Sequence, residues 1–395
     1  MKPKSNQTPF YEAFDKKKKT TGKSKYILDD SDFTYEDDYY QEQKSPKKAR
    51  GTNSENQDQA KGHSYDKSQS YDKSQSYDKA LSHDKAQGTS ERYRKGFEHP
   101  KYAKYRVSSR CSVSGPCGGC QLQSLSYEGQ LIYKQDKTEK LLGKFGKLDK
   151  IVGMEKPDHY RNKIHATFSY DTKGKVIAGI YEEDSHKVIP LSNCLIQDPR
   201  ANGIINTILK LMPSFKMTPY DEDYGTGFLR HVLIRTSHTT EEVMVVIVGG
   251  SPIMPSKNNF ANALIKEHPY ITSVVFNINN RKTSMVLGAQ ETIIQGKGYI
   301  EDALCGITFK ISPKSFYQVN SVQAEKMFEK AMDLAALKGD ENVLDAYCGI
   351  GTIGLIAAKN AGEVIGIELN KDSVKDAQHN AKRNLITNAQ FYEGD

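Results

Sequence analysis

NVLDAYCGIGTIGLIAAKNAGEVIGIELN, residues 342–370, decides the fold. Residues 342–345 carry the apolar step Val343-Leu344 and end on Asp345, the pattern of a short buried strand. Gly349, Gly351 and Gly354 follow as G-x-G-x-x-G, and residues 353–359 have helical spacing with no breaker. Residues 364–367 read as a second strand, which ends on Glu368. Strand, glycine turn, helix and a strand with a terminal acid make the first half of a Rossmann-type nucleotide site. Glycines admit a close backbone approach, the helix N-terminus offers free N–H groups, and the acid can accept ribose hydroxyls.

The glycine spacing serves dinucleotide sites and S-adenosylmethionine (SAM) sites alike. Asp345 favours the second. An acid just before the turn repels a diphosphate but suits the ammonium of a methionine moiety. SAM is the expected ligand, NAD is the alternative, and a glycine turn with no ligand is the bland third reading.

The 395 residues leave room for two or three domains. No apolar run approaches a membrane span and the N-terminus has no signal-peptide core, so a cytoplasmic protein is expected. Its six cysteines are then expected to be reduced, metal-bound or catalytic. The net charge of +7 sits wholly in residues 1–110, which hold 24 Lys/Arg against 17 Asp/Glu. Any basic face on the rest must come from clustering.

Residues 1–100 are expected to be a disordered tail. Ile27, Leu28 and Leu81 are their only aliphatic residues larger than alanine after Met1, too few to offset the entropy of ordering. A hexapeptide repeats there as SYDKSQ at 64 and 70, SYDKAL at 76 and SHDKAQ at 82. The lysine run 16–19 and the interleaved tyrosines suit loose, salt-sensitive RNA binding, with a solvated spacer as the equal alternative.

Residues 101–310 read as a β-rich α+β region. Cys111, Cys117 and Cys120 are spaced C-x5-C-x2-C, and Cys194 lies 74 residues after Cys120. Three clustered thiols and a distant fourth can close a four-thiolate site. The missing second C-x2-C pair favours an iron–sulfur cluster over structural zinc. A helix is expected over 126–146 and alternating strands over 151–294, with short helices at 204–212 and 260–268. Two compact donor sets, Tyr160-Arg161-Asn162-Lys163 and Leu229-Arg230-His231, suit phosphates and base edges or are ordinary surface charge. Residues 311–395 then hold SFYQVN (315–320), a helix at 322–337 and the glycine turn. Phe316 and Tyr317 can stack a base or pack in the core.

Taken in order from about residue 110 to 395, these motifs resemble the 23S rRNA (uracil-5-)-methyltransferases. The likeness lies in CxxxxxCGGCxxQ, YRNK, NCLIQ, LRH, SFYQVN, DAYCGIGTIG and GIELN together. The resemblance implies a Rossmann-like SAM methyltransferase domain behind an iron–sulfur, RNA-binding region. It implies methyl transfer from SAM to C5 of a uridine in ribosomal RNA, and a four-iron four-sulfur (4Fe–4S) cluster on Cys111, Cys117, Cys120 and Cys194. SAM contacts fall on Gln318, Tyr347, Gly349, Gly351, Thr352, Glu368 and Asp395. The donor sets themselves make Arg161, Asn162, Lys163, Arg230 and His231 the expected RNA contacts, with Phe316 as a stacking wall. Related tRNA enzymes lack the cluster, so the four cysteines argue for an rRNA substrate. No protein partner is implied, and a monomer is expected.

Two departures stand out. Residues 1–100 do not resemble the small β-barrel (TRAM domain) that many members carry. The family's nucleophilic cysteine and general base fall beyond Asp395, so no catalytic residue is assigned and the chain reads as the N-terminal portion of such an enzyme. Cys348 belongs to the glycine turn, and Cys305 reads as a strand cysteine. If the chain were complete, a non-catalytic RNA-binding iron–sulfur protein would be the alternative.

Overall fold

The computed structural model describes residues 99–182, 185–281 and 285–394. The tail with its lysine run and hexapeptide repeat lies outside the described residues, as does Asp395. A 3-10 turn, Pro100–Tyr105, leads into the cysteine loop, and helix α1 follows over Tyr127–Leu142. Ser126 caps α1, its hydroxyl accepting from Gly129 N at 3.2 Å.

Seven strands then build one mixed sheet. They are β1 (Lys163–Tyr170), β2 (Val176–Tyr181), β3 (Val188–Pro190), β4 (Leu229–Thr236), β5 (Val243–Gly249), β6 (Ile271–Ile278) and β7 (Gln290–Gly296). Their order is β3-β2-β1-β4-β5-β6-β7. Only β5 and β6 run parallel, because helix α3 (Lys257–Glu267) carries the chain across between them. Helix α2 (Pro199–Leu211) packs beside α3. Ile204, Ile208, Phe260 and Leu264 meet Ile164, Phe168, Val232, Ile234, Val245 and Ile247 on one face of the sheet. The other face has its own apolar set, Leu233, Met244, Val246 and Val248. Central strands β4 and β5 are therefore buried on both sides, which is why they read as continuous apolar runs.

That second face packs on the C-terminal region. A hairpin, β8 (Ile300–Leu304) and β9 (Ile307–Ile311), precedes helix α4 (Ser321–Ala335). The expected helix 322–337 stops earlier, since Ala336 adopts a left-handed φ of 48° that ends the helical path. Next come β10 (Asn342–Ala346), α5 (Thr352–Ala357), β11 (Glu363–Glu368), α6 (Lys371–Arg383) and β12 (Ala389–Glu393). The three strands are parallel in the order β10-β11-β12.

Asn380 of α6 and Asn384 at its C-cap do the work of a neighbouring strand for β9. Asn384 Oδ1 accepts from Thr308 N at 2.9 Å and its Nδ2 donates back to Thr308 O at 2.8 Å. Asn380 Oδ1 accepts from Lys310 N at 2.8 Å, while its Nδ2 donates to Ile350 O in the glycine turn at 3.1 Å. The fully buried Asn380 thus ties hairpin, helix and turn together. Among the described residues no helix is long and apolar enough to cross a membrane.

Candidate functional site

The glycine turn holds itself in shape. Asp345 ends β10 buried, and its Oδ2 accepts from Gly354 N in the first turn of α5 at 2.8 Å. Burial raises its pKa and the Gly354 N–H pulls it back down. The acid expected to face a ligand's ammonium therefore also anchors the helix start. Gly351, with φ 79°, stands at the N-cap of α5. A Cβ there would lie 2.9 Å from Phe391 Cζ, so the turn needs glycine for space as well as conformation. Glu368, at the tip of β11, accepts from Gly349 N at 3.0 Å and from Asn370 N at 2.7 Å. Tyr347 is 84% exposed at a positive φ of 60°, and Thr352 opens α5. Burial, with Asp345 and Glu368 beside it, pushes the Cys348 thiol up to about 12, so it is no nucleophile at neutral pH.

The SFYQVN segment is held in place from three directions. Asp376 of α6 accepts from the hydroxyls of Ser312 and Ser315 at 2.8 and 2.9 Å. Arg235 of β4 donates to the carbonyls of Pro313 and Ser315. Asn162 donates from its backbone to Val319 O at 2.9 Å, and from Nδ2 to Gln318 O at 3.0 Å and Ser321 Oγ at 2.9 Å. The two aromatics part company here. Phe316 is 67% exposed, whereas Tyr317 is buried and donates to Asp302 Oδ2 at 3.2 Å. Tyr317 is thus a core residue and not a stacking surface.

Asp302 is a residue that the sequence reading missed. It is fully buried in β8, and its Oδ1 accepts from Ser237 Oγ, His238 N, Thr239 N and Thr239 Oγ1 at 2.8–3.0 Å. With Tyr317 and Ser321 on Oδ2, it joins the loop after β4 to the start of α4. The available signal was an acid at an inward position of the alternating strand IEDAL.

The two donor sets differ sharply. Arg161 lines a polar groove of about 280 Å³ with His159, Arg200 and His238. Lys163 is half-buried, and burial, Arg235 and Arg161 bring its pKa down to about 8. Arg235 is fully enclosed and burial lowers it to about 10. Arg230 and His231, expected as RNA contacts, lie inside the sheet at 3% and 6% exposure. Arg230 donates to Asn279 O, Arg281 O and Glu222 Oε1, each at 2.8 Å. His231 Nδ1 lies 3.2 Å from Thr167 Oγ1, and burial holds its pKa down at about 4. Apart from Arg230 Nε, which is buried without a partner, these groups are taken up inside the protein, and burial withdraws both residues from the surface expected to meet RNA.

Cys111, Cys117, Cys120 and Cys194 line one cavity of about 170 Å³, and all four are free thiols. Asn202 holds the Cys194 backbone through its N–H at 3.4 Å and its carbonyl at 3.3 Å. Ser114, Gln123, Arg161, His165 and Gln197 supply the rest of the polar lining, which contains no carboxylate. Burial and the neighbouring thiols raise the pKa of Cys117 and Cys120. Among the described residues no three of these sulfurs gather within 4.8 Å of one another. Four thiolates on a single zinc, about 2.3 Å from the ion, would sit about 4 Å apart. Elsewhere, ligand atoms of Cys305, Glu325 and Glu329 do come within 4.8 Å. Burial and the two acids push the Cys305 thiol up to about 11.

The family model of the tRNA (Uracil-5-)-methyltransferases matches residues 126–393. The chain belongs to that family. An RNA methyltransferase of Listeria monocytogenes, named as uncharacterized, is 40% identical over 293 residues, covering 73% of this chain and 64% of the relative. One of Caldanaerobacter subterraneus is 41% identical over 296 residues, covering 74% and 65%. Among solved structures, the Pyrococcus abyssi tRNA (uracil-54, C5)-methyltransferase in complex with S-adenosyl-L-homocysteine superposes with a TM-score of 0.58 at 26% identity. That match covers 71% of this chain and 66% of the other. The chain therefore spans just under two thirds of the length of the RNA methyltransferases and of the solved structure that it matches. The likeness gives the C-terminal region a Rossmann-like methyltransferase fold, with the mixed sheet before it.

Proposed function

We propose that this chain is the SAM- and RNA-binding part of an RNA (uracil-C5)-methyltransferase, and that its substrate is ribosomal RNA. The observation that carries the reading is the self-braced glycine turn, with Glu368 at the tip of β11 and the Gln318 segment held in place. In this reading Glu368 accepts the ribose hydroxyls of SAM, and Gly349, Gly351 and Thr352 let the methionine portion approach the backbone. Tyr347 and Gln318 close over the ligand.

Uracil C5 is a weak nucleophile until a thiolate adds at C6 and makes the ring an enolate. C5 then takes the methyl group, a base removes the C5 proton, and the thiolate leaves. The covalent step is assigned to no residue of this sequence, since Cys348 belongs to the glycine turn and Cys305 to the β8–β9 hairpin. What these residues supply is placement. The target uridine leaves its stack, Phe316 offers an open wall for it, and Arg161 and Lys163 meet the backbone phosphates.

The C-x5-C-x2-C spacing with a distant Cys194, and the single cavity that the four cysteines line, support a 4Fe–4S cluster. When bound, the cluster would hold the cysteine loop to the sheet, and it takes no part in methyl transfer. The cysteine set is also the reason to prefer ribosomal RNA over tRNA.

The test is transfer of tritiated methyl from SAM, by the full polypeptide, to transcripts of 23S rRNA and of tRNA. Label in 5-methyluridine of 23S rRNA alone is expected. Label in tRNA alone would move the substrate. No label in either, together with no binding of S-adenosylhomocysteine, would remove the reading.

A further inference from the structure

A larger cleft, of about 590 Å³, opens on the other side of the cysteine loop. It runs between the segment that follows Cys120, the start of α1, and Asn320 and Gln323 at the N-terminus of α4. Pockets of this volume enclose small organic groups. Gly119 and Cys120 line both this cleft and the cysteine cavity, so one loop forms a wall of each. The opposite wall begins where SFYQVN ends, which places the cleft next to the segment assigned to SAM and the target uridine.

The cleft is rich in amides, and three glutamines share one arrangement. Gln121 Nε2 donates to Gly118 O at 3.2 Å, Gln130 Nε2 to Leu125 O at 3.1 Å, and Gln323 Nε2 to Val152 O at 3.1 Å. Each amide is fixed by its nitrogen end, and none of the three carbonyl oxygens accepts a hydrogen bond from the described residues. Gln323 Oε1 is buried and without a partner. A buried acceptor left unpaired is unfavourable, and a ligand N–H would satisfy it. Tyr127 and Tyr160 line the same space and supply rings, and Lys134 supplies positive charge.

We propose that this cleft is a base-reading subsite for single-stranded RNA, which takes a nucleotide flanking the target and selects it by its exocyclic amine. The proposal rests on the RNA-methyltransferase reading and adds a site to it. Fixed acceptors discriminate by complementarity. Cytosine and adenine each present an amine to such oxygens, whereas uracil presents a carbonyl at the matching position and meets acceptor with acceptor. Tyrosine rings hold any base by its face, so they add affinity without selectivity. The cysteine loop gains a purpose here as well, since whatever orders it also sets the position of Gln121.

The experiment is fluorescence anisotropy of the full chain with labelled dodecamers of one central uridine flanked by cytidines, called oligo(C), or by uridines, called oligo(U). These probes share the target base and differ at C4 of every flanking base, amine against carbonyl. Oligo(C) is expected to bind about 3- to 10-fold tighter, the worth of one or two hydrogen bonds. Gln121→Leu, at an exposed position, and Gln130→Leu should each bring that ratio towards one. Neither should change the slope of affinity with salt, because no phosphate contact is lost. Unchanged binding of S-adenosylhomocysteine in each variant reports an intact fold. Equal binding of the two probes, or a preference that survives in both variants, overturns the subsite while leaving the RNA reading in place. A flattened salt slope in the variants overturns it too, as it would make the glutamines part of a phosphate contact. Failure of either probe to bind even at low salt overturns the RNA reading itself.

Discussion

The glycine turn and the cysteine pocket are built on opposite plans. The turn is complete in itself: Asp345 meets Gly354 N, Glu368 meets Gly349 N, and Asn380 meets Ile350 O. The pocket has four thiols, an arginine and a histidine around open space, with no carboxylate between them. One site is shaped before its ligand arrives. The other is held by its backbone around an open cavity, the place proposed for a metal group. Ligand loss should therefore leave the turn intact and loosen the cysteine loop.

The largest effect tests the pocket. Cys194→Ser should abolish metal binding and cost about 3–5 kcal/mol of stability, seen as a lower thermal midpoint and early proteolysis near residue 117. Full metal content in that variant would break the contrast. The turn comes next. Gly351→Ala places a Cβ 2.9 Å from Phe391 Cζ at a φ of 79°, and should cost about 2–3 kcal/mol. Its signature is weaker S-adenosylhomocysteine binding by calorimetry with unchanged metal content, so that the two sites fail separately.

Phe316→Ala sharpens the comparison at the RNA side. It should weaken RNA binding by about 1–3 kcal/mol and leave thermal stability alone, because the ring is open and packs on little. Tyr317→Phe should do the reverse, through the lost bond to Asp302. The smallest effect concerns His231. Its folded pKa lies near 4, below the unfolded value, first through burial and then through Arg230, with Glu222 opposing. The neutral ring therefore favours folding above about pH 6.5, and that contribution fades as pH falls towards 4. Between pH 6 and 5 the loss should be about 1 kcal/mol, and His231→Gln should flatten the denaturation profile in that range.

What was legible in the sequence follows the same division. The glycine turn, its flanking strands and the acid of β11 could be read because their spacing is local and each residue's task is set within about 25 positions. The four cysteines were legible as a set by residue type alone. Arg230 and His231 were not. LRH looks like a polar strand start, but β4 lies mid-sheet with both faces covered, a fact fixed by β1, β5 and the C-terminal hairpin far away in sequence. Tyr317 could not be told from Phe316, because the choice is made by Asp302, fifteen residues upstream. Asn380 and Asn384 carried no signal in the sequence. Their partners on β9 lie 70 and 76 residues earlier.

The most direct test of the contrast is iron and acid-labile sulfide analysis of the anaerobically purified chain, with its visible spectrum. The account predicts iron and sulfide in equal amounts and a broad visible absorbance, both lost in Cys194→Ser while S-adenosylhomocysteine still binds. One zinc per chain with no iron, or a stable chain that holds no metal at all, would contradict it.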